Sequence, residues 1–428
     1  MVVLFSSLFL FLALSVPVGL CLTGSSIIHV LLMTDYPATI IGQNFLFFLH
    51  KYSLLAVPFF VTAGFIMGHT DLIEKLFRFF HELLKWLPGG LGVATMVTAI
   101  IFAAFTGSSL AEASALGLIA YPIMKQHGYP DSLSTAIITM GGTLGILIPP
   151  SWPLILYGVI ADESISKLFM AGIVPGVVLG SLLTVVTIIQ AKRLGIATEK
   201  SEWSHILKAF PASIPGLLMP AIILGGLYGG IFAPTEAGAV ACAYALLYGL
   251  IFDRTRFFKN LPEIMTQSLR VTAMCFFLLG GVGLFNGILA NEYVPQKVTQ
   301  YVIGMGLSHI HFLLVYMVIL MVLGCFVDAG GMIGLTVPVV LPTMIAIGVD
   351  PVALGVLIVM NCELGAVTPP IGATLYGVAG VTKVPLETIL KGVVPFFMVV
   401  MAMLIFLIFF PGVSTWLPGR MFTPLFGV

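Results

Sequence analysis

Charge is what this sequence has least of. Only 8% of its 428 residues are Asp, Glu, Lys or Arg, where a soluble domain carries roughly 25%. Hydrophobic residues make up 59%. A water-soluble core stops growing beyond ~250–300 residues, so that much apolar surface cannot be hidden from water. A soluble enzyme, a nucleic-acid binder and a disordered chain are therefore excluded. The 18 basic and 18 acidic residues cancel, which leaves no basic face for nucleic acid. Catalytic signatures are missing too. Gly-x-Ser-x-Gly, His-Glu-x-x-His and the phosphate-binding Gly-Lys-Ser/Thr loop do not occur, so no enzyme is expected. The five cysteines, Cys21, Cys242, Cys275, Cys325 and Cys362, lack Cys-x-x-Cys spacing and sit in apolar runs, as reduced packing residues do.

What is present is a series of apolar segments: 2–22, 24–34, 38–50, 53–69, 91–105, 109–124, 133–160, 168–190, 213–232, 236–252, 270–290, 298–306, 310–327, 331–347, 351–381 and 388–411. They are too long for barrel strands, and the expected fold is an all-α polytopic membrane protein. The run from Val2 to Leu22 has no basic flank or cleavage site and is read as a first membrane helix rather than a signal peptide. Several segments fall short of the roughly 20 residues that span a bilayer. Two pairs, 91–105 with 109–124 and 310–327 with 331–347, are joined by small residues, Thr106-Gly107-Ser108-Ser109 and Asp328-Ala329-Gly330-Gly331. Each pair reads as a re-entrant helical hairpin, whose tip must be buried in protein or line a wet cavity.

The chain also repeats itself. Leu144-Gly145-Ile146-Leu147-Ile148-Pro149-Pro150 resembles Leu364-Gly365-Ala366-Val367-Thr368-Pro369-Pro370, 220 residues later. Pro122 and Met124 match Pro342 and Met344, and Gly172 to Pro175 match Gly392 to Pro395, at the same offset. The hairpin tips align as Ser108 and Asp328. Basic residues gather in three segments: Lys75/Arg78/Lys85, Lys192/Arg193/Lys200/Lys208 and Arg254/Arg256/Lys259/Arg270. Placing these polar loops in the cytoplasm makes the two repeats enter from opposite sides. Lys51 fits this scheme less cleanly. Inverted repeats with broken helices mark secondary transporters, with sites at the breaks.

Four acids lie inside apolar runs: Glu112, Glu236, Asp328 and Glu363. Intramembrane acids mark function by default. Glu236 follows Pro234 at a helix start and reads as a first-turn acid on the positive end of the dipole. The Pro-Pro breaks free backbone carbonyls, which suit a hard monovalent cation, while half-helix N-termini suit a carboxylate. At the first break the candidates are Thr143, Gly145 and Ser151, facing Ser108 and Ser109. At the second they are Asn361, Thr368 and Thr374, facing Asp328, Gly330 and Gly331. The plainer alternative is that these hydroxyls cap broken helices.

At these residues the chain resembles the large membrane subunit of tripartite ATP-independent periplasmic (TRAP) transporters. The likeness runs from Leu14-Ser15-Val16-Pro17-Val18-Gly19 to Trp416-Leu417-Pro418. Its most specific pieces include Val57-Pro58-Phe59-Phe60-Val61-Thr62-Ala63-Gly64, Gly107-Ser108-Ser109-Leu110-Ala111-Glu112-Ala113, Gly230-Ile231-Phe232-Ala233-Pro234-Thr235-Glu236-Ala237 and Thr368-Pro369-Pro370-Ile371-Gly372. The resemblance implies Na⁺-coupled import of an organic acid, a C4-dicarboxylate or a sialic-acid-like carboxylate, across the bacterial inner membrane. It implies two partners, a four-helix small membrane subunit and a periplasmic substrate-binding protein. The small subunit is expected as a separate chain, because no four-helix module precedes Val2.

The resemblance also implies an elevator. N-terminal scaffold helices (1–90) come first, then a transport repeat (91–175), scaffold helices and loops (176–307), a second transport repeat (308–397) and a C-terminal end (398–428). It places substrate binding at Thr106, Ser108, Ser109, Glu112 and Ser151. Na⁺ candidates are Gly107, Ser108, Thr143, Gly145 and Pro149 in the first repeat, with Asp328, Gly330, Asn361, Glu363 and Thr368 in the second. Glu112 stands where an Asp is often found. A stand-alone Na⁺/carboxylate transporter and an ion channel or exchanger are the alternatives.

Overall fold

The structure, a computed structural model, describes residues 1–370 and 372–421. Ile371 at the second break and residues 422–428 of the C-terminal segment lie outside the described residues. Among the described residues every regular element is a helix. Six helices have the length and apolarity of a membrane span: Ile165–Arg193, Trp203–Tyr228, Pro234–Ile251, Arg254–Asn291, Ala329–Ala346 and Leu386–Phe409. Thr39–His50 and Tyr52–Gly68 form a further pair, bent by 64° at Lys51.

The repeat seen in the sequence is carried by helix boundaries. Ser109–Gln126 and Ala329–Ala346 correspond residue for residue at the 220 offset. Each follows a partner helix, Gly90–Thr106 or His309–Gly324, against which it packs. Each is followed by a helix ending near a Pro-Pro pair: Asp131–Thr143 before Pro149-Pro150, and Pro351–Ala366 before Pro369-Pro370. Both Pro-Pro bonds are cis. Trp152–Ala161 and Ala373–Thr382 resume after the breaks. The prolines withhold amide donors where the next turn would need them, so neither helix can run through.

The two repeats interlock. Ser109–Gln126 of the first packs on Ala373–Thr382 of the second, and Ala329–Ala346 of the second packs on Trp152–Ala161 of the first. Asp131–Thr143 packs on Leu386–Phe409, and Pro351–Ala366 on Ile165–Arg193. The approach is close, since a Cβ on Gly392 would lie 2.0 Å from the Ser132 carbonyl oxygen. Asp131–Thr143 and Pro351–Ala366 are buried along most of their length. The outer layer is Val18–Met33 against Arg254–Asn291, Ala56–Gly68 against Pro234–Ile251, and Trp203–Tyr228 against Leu72–Leu84.

Three expectations need correction. The run 2–22 is not one helix. Val2–Ala13 stops before Ser15, which has φ 58°, and Val18–Met33 starts after Pro17. The basic stretch from Arg254 to Arg270 is no loop but the first half of the 38-residue helix Arg254–Asn291. Phe257, Ile264 and Ser268 are buried at helical spacing, which gives that half an inner face. Lys75 and Arg78 likewise sit on a helix, Leu72–Leu84, whose Leu72, Ile73, Leu76, Phe77, Phe79 and Phe80 are buried.

Candidate functional site

Ser108 and Asp328 are N-caps of the two matched helices. The Ala111 amide donates to Ser108 Oγ at 3.5 Å, and the Gly331 amide donates to Asp328 Oδ1 at 3.3 Å. Such side chains satisfy donors left over in a first turn. Gly107 precedes Ser108 at φ +55°, and a Cβ there would come within 2.9 Å of the Pro150 carbonyl oxygen. The first tip therefore rests on the first break. The second tip rests on the residue after that break, since a Cβ on Gly330 would lie 2.6 Å from the Trp152 ring.

Between the tips lies a cavity of about 230 Å³. Ser108, Ser109, Trp152, Asp328, Cys362 and Ala366 are among the residues that line it. Four helices begin at its edge, at Ser109, Trp152, Ala329 and Ala373. Helix N-termini carry partial positive charge and free amides, so their convergence favours an anion. A larger cavity of about 460 Å³ is also lined by Asp328, together with Ser15 to Leu20.

Behind the first tip is a set of oxygens. Glu112 is fully buried and does not line the 230 Å³ cavity. Thr106 Oγ1 donates to Glu112 Oε2 at 3.2 Å, while Oε1 has no partner. A Cβ on Gly145 would stand 2.3 Å from Glu112 Oε2, 3.2 Å from Thr106 Oγ1 and 3.3 Å from the Ser108 carbonyl oxygen. Only a glycine at the first break leaves room for that carboxylate. In the second repeat Glu363 is fully buried, and neither of its oxygens has a hydrogen-bond partner among the described residues. It lies within electrostatic reach of Glu112. Asn361 donates to the Met317 carbonyl at 2.8 Å and leaves its own Oδ1 unpartnered. Buried polar atoms without partners are costly, and such groups call for an explanation.

The other sequence candidates are placed as follows. Thr106 borders a small opening with Ser108 and Trp152. Ser151 is fully buried and turned inward, donating to the Ile146 carbonyl and accepting from the Leu154 amide at 3.4 Å. Thr143 and Thr368 return their hydroxyls to helix carbonyls, of Met140 at 2.8 Å and Leu364 at 2.5 Å. Pro149 is buried at the first break. Glu236 accepts from the Ala233 amide at 2.8 Å, the role of a first-turn acid. The sequence reading passed over Trp152. Its position as the bulky residue directly after Pro149-Pro150-Ser151 was the available signal. All five cysteines are free thiols.

Outside the repeats, Lys51 donates to Asp162 Oδ1 at 2.6 Å. That hydrogen bond, with the ammonium charge, holds the Asp162 carboxyl below its ordinary range. On the Leu72–Leu84 helix, burial holds the His81 ring below the usual imidazole range.

Two interlocked helical repeats, each broken at a Pro-Pro pair around an anion-favouring cavity, have the architecture of a membrane transport protein. The solved structure of the Alcanivorax borkumensis YdaH transporter shares this fold, with a TM-score of 0.62 over 88% of this chain and 87% of that one, at 16% identity. The family model of the tripartite ATP-independent periplasmic transporter DctM component matches residues 5–413, and the chain belongs to that family. It is 37% identical to the C4-dicarboxylate TRAP transporter large permease protein of Pseudomonas aeruginosa over 86% of both chains. It is 34% identical to the corresponding Vibrio cholerae protein, over 96% of this chain and 95% of the relative. The Vibrio cholerae sialic acid TRAP transporter large permease protein is 32% identical over 94% of both. The chain is thus a large permease of a TRAP transporter and not an enzyme.

Proposed function

We propose that this permease imports an organic acid, driven by Na⁺, through an elevator movement of its two repeats in the bacterial inner membrane. The observation that carries the reading is the cavity between Ser108 and Asp328, ringed by four helix N-termini and backed by unpartnered acidic oxygens. The N-termini and the hydroxyls of Ser108 and Ser109 would hold a carboxylate. A C4-dicarboxylate or a sialic-acid-like acid fits this chemistry, and relatives bear both names.

The cation would sit behind the tips. The Glu112 carboxylate, Thr106 Oγ1 and the Ser108 carbonyl surround Gly145 with oxygens, the donor type a hard monovalent ion takes. Gly107, Thr143 and Pro149 contribute backbone at the same break. A second ion would lie near Asp328 and Gly330, with Asn361, Glu363 and Thr368 at the second break. Glu363 supports this, because its two buried oxygens have no hydrogen-bond partner among the described residues. The inward Na⁺ gradient would supply the driving force, and Na⁺ binding would neutralise carboxylates that would otherwise cross an apolar layer charged. The interlocked repeats would move as one body against the outer helices, Val18–Met33, Ala56–Gly68, Trp203–Tyr228, Pro234–Ile251 and Arg254–Asn291. A four-helix small membrane subunit would complete the scaffold, and a periplasmic binding protein would deliver the acid.

Uptake into proteoliposomes tests the whole reading. Import is expected only with an inward Na⁺ gradient and with the small subunit and loaded binding protein present. Equal uptake in K⁺, or without the binding protein, would overturn it.

A further inference from the structure

Lys51 is one of the basic residues outside the three loop-charge segments, and the structure gives it a definite place. It lies outside both repeats, at the 64° bend between Thr39–His50 and Tyr52–Gly68. Its ammonium donates to Asp162 Oδ1 at 2.6 Å and to the Val159 carbonyl oxygen at 2.9 Å. It also stands 5.7 Å from the centre of the Phe48 ring. Val159 is in the last turn of Trp152–Ala161, the half-helix that leaves the first break, and Asp162 is its C-cap at φ 57°. One cation therefore meets both a free carbonyl at the negative end of this half-helix and the carboxylate that closes it.

The contact crosses between two structural groups. Lys125 pairs with Asp131 inside the first repeat, and Arg256 pairs with Glu74 among the outer helices. Lys51 instead joins the bend to the first repeat. The turn Tyr52–Leu55 and the helix Ala56–Gly68 also pack on the half-helix. Both charged groups reach solvent, with 29% of the Lys51 side chain and 90% of the Asp162 side chain exposed. Exposed ion pairs bind weakly, and both partners can rehydrate on parting. A contact of this kind can form and release repeatedly.

We propose that Lys51 is a reversible clasp: it positions the half-helix Trp152–Ala161 in one transport state and lets go of Val159 and Asp162 when the repeats move. The proposal rests on the alternating movement described above. Its test is a Lys51→Cys/Asp162→Cys variant in a background with the five native cysteines replaced, assembled with both partners in proteoliposomes. A short bis-methanethiosulfonate reagent, spanning the room that the Lys51 side chain fills, is expected to join the two thiols by disulfides with sulfinate leaving, stop uptake and be reversed by a reductant. Continued uptake with the pair fully linked would overturn the clasp and leave the transport reading intact. No uptake by the wild-type complex would instead defeat the transport reading.

Single variants supply a readout that needs no cross-link. Lys51→Met should change the maximal uptake rate about two- to fivefold, the range expected from a weak exposed pair. The half-saturating concentration of loaded binding protein should stay constant, and Lys51→Arg should restore the rate. A Lys51→Met rate equal to wild type would equally overturn the proposal.

Discussion

Gly330, at the tip of the second hairpin, and Trp152, directly after the first break, share one space: a methyl group on Gly330 would lie 2.6 Å from the indole. The contact joins the two repeats beside the cavity. Gly330→Ala should overpack it, at a cost of about 1–3 kcal/mol, and lower uptake. Trp152→Leu in the same chain should recover part of the loss. The check is a double-mutant cycle on uptake and thermal stability; additive losses would mean that the two residues act independently.

Glu112→Gln and Gly145→Ala should converge on one phenotype. The first removes the carboxylate charge, and the second pushes it out of place by a Cβ that would sit 2.3 Å from Oε2. Both should raise the Na⁺ concentration for half-maximal uptake, by roughly tenfold for a lost charged interaction of about 1.4 kcal/mol. A Na⁺ titration of transport reads this directly. An unchanged midpoint in both variants would remove Glu112 from the cation site.

Asp328 does two things, since it caps a helix and lines the cavity. Asp328→Asn keeps a good N-cap and discards the charge. It should weaken Na⁺ dependence while leaving thermal stability near wild type, whereas Asp328→Ala should lose about 1 kcal/mol of stability as well. Wild-type Na⁺ dependence in the Asn variant would leave the cap as the residue's whole role. Ser108→Ala and Ser109→Ala should raise the substrate requirement without unfolding the protein.

Gly64 probes movement rather than binding. A Cβ there would come within 2.7 Å of the Phe105 carbonyl oxygen and 3.0 Å of the Thr106 Cα, both backbone atoms that cannot turn aside. Gly64→Ala should slow maximal uptake while substrate binding by the isolated binding protein stays the same. Full-speed uptake would show that this face does not slide.

The Lys51–Asp162 pair carries a pH prediction with a definite sign. The Asp162 carboxyl is held below its ordinary range by the Lys51 hydrogen bond and charge. The pair's contribution is then fully present above the ordinary carboxylate value of about 3.9. It is lost only as pH falls through the depressed one. The ratio of Asp162→Asn to wild-type uptake should therefore stay flat across about pH 6 to 8. A ratio that drifts over that window would place another titrating group at the clasp.

Much of this architecture was legible because it is written twice. Pro149-Pro150 matched with Pro369-Pro370 marks both breaks, and Ser108 matched with Asp328 marks the starts of both matched helices. Hydroxyl direction was not legible. Ser151 and Thr143 lie at the expected break, yet both bond to nearby carbonyls, a choice settled by local backbone geometry. Trp152 escaped notice because an aromatic in an apolar run looks like packing until its neighbour across the repeats is known. The Arg254–Arg270 helix escaped because charge on one face masks an apolar face at 3.6-residue spacing.

The interlocking of the repeats has a consequence for how such a chain can be cut. Ser109–Gln126 needs Ala373–Thr382, and Ala329–Ala346 needs Trp152–Ala161, so each half contains grooves that only the other fills. The arrangement is that of a domain-swapped dimer held in one polypeptide. Neither half should be a stable protein by itself. Two fragments separated in the 194–202 connection and made in the same cell should find each other and reassemble the permease.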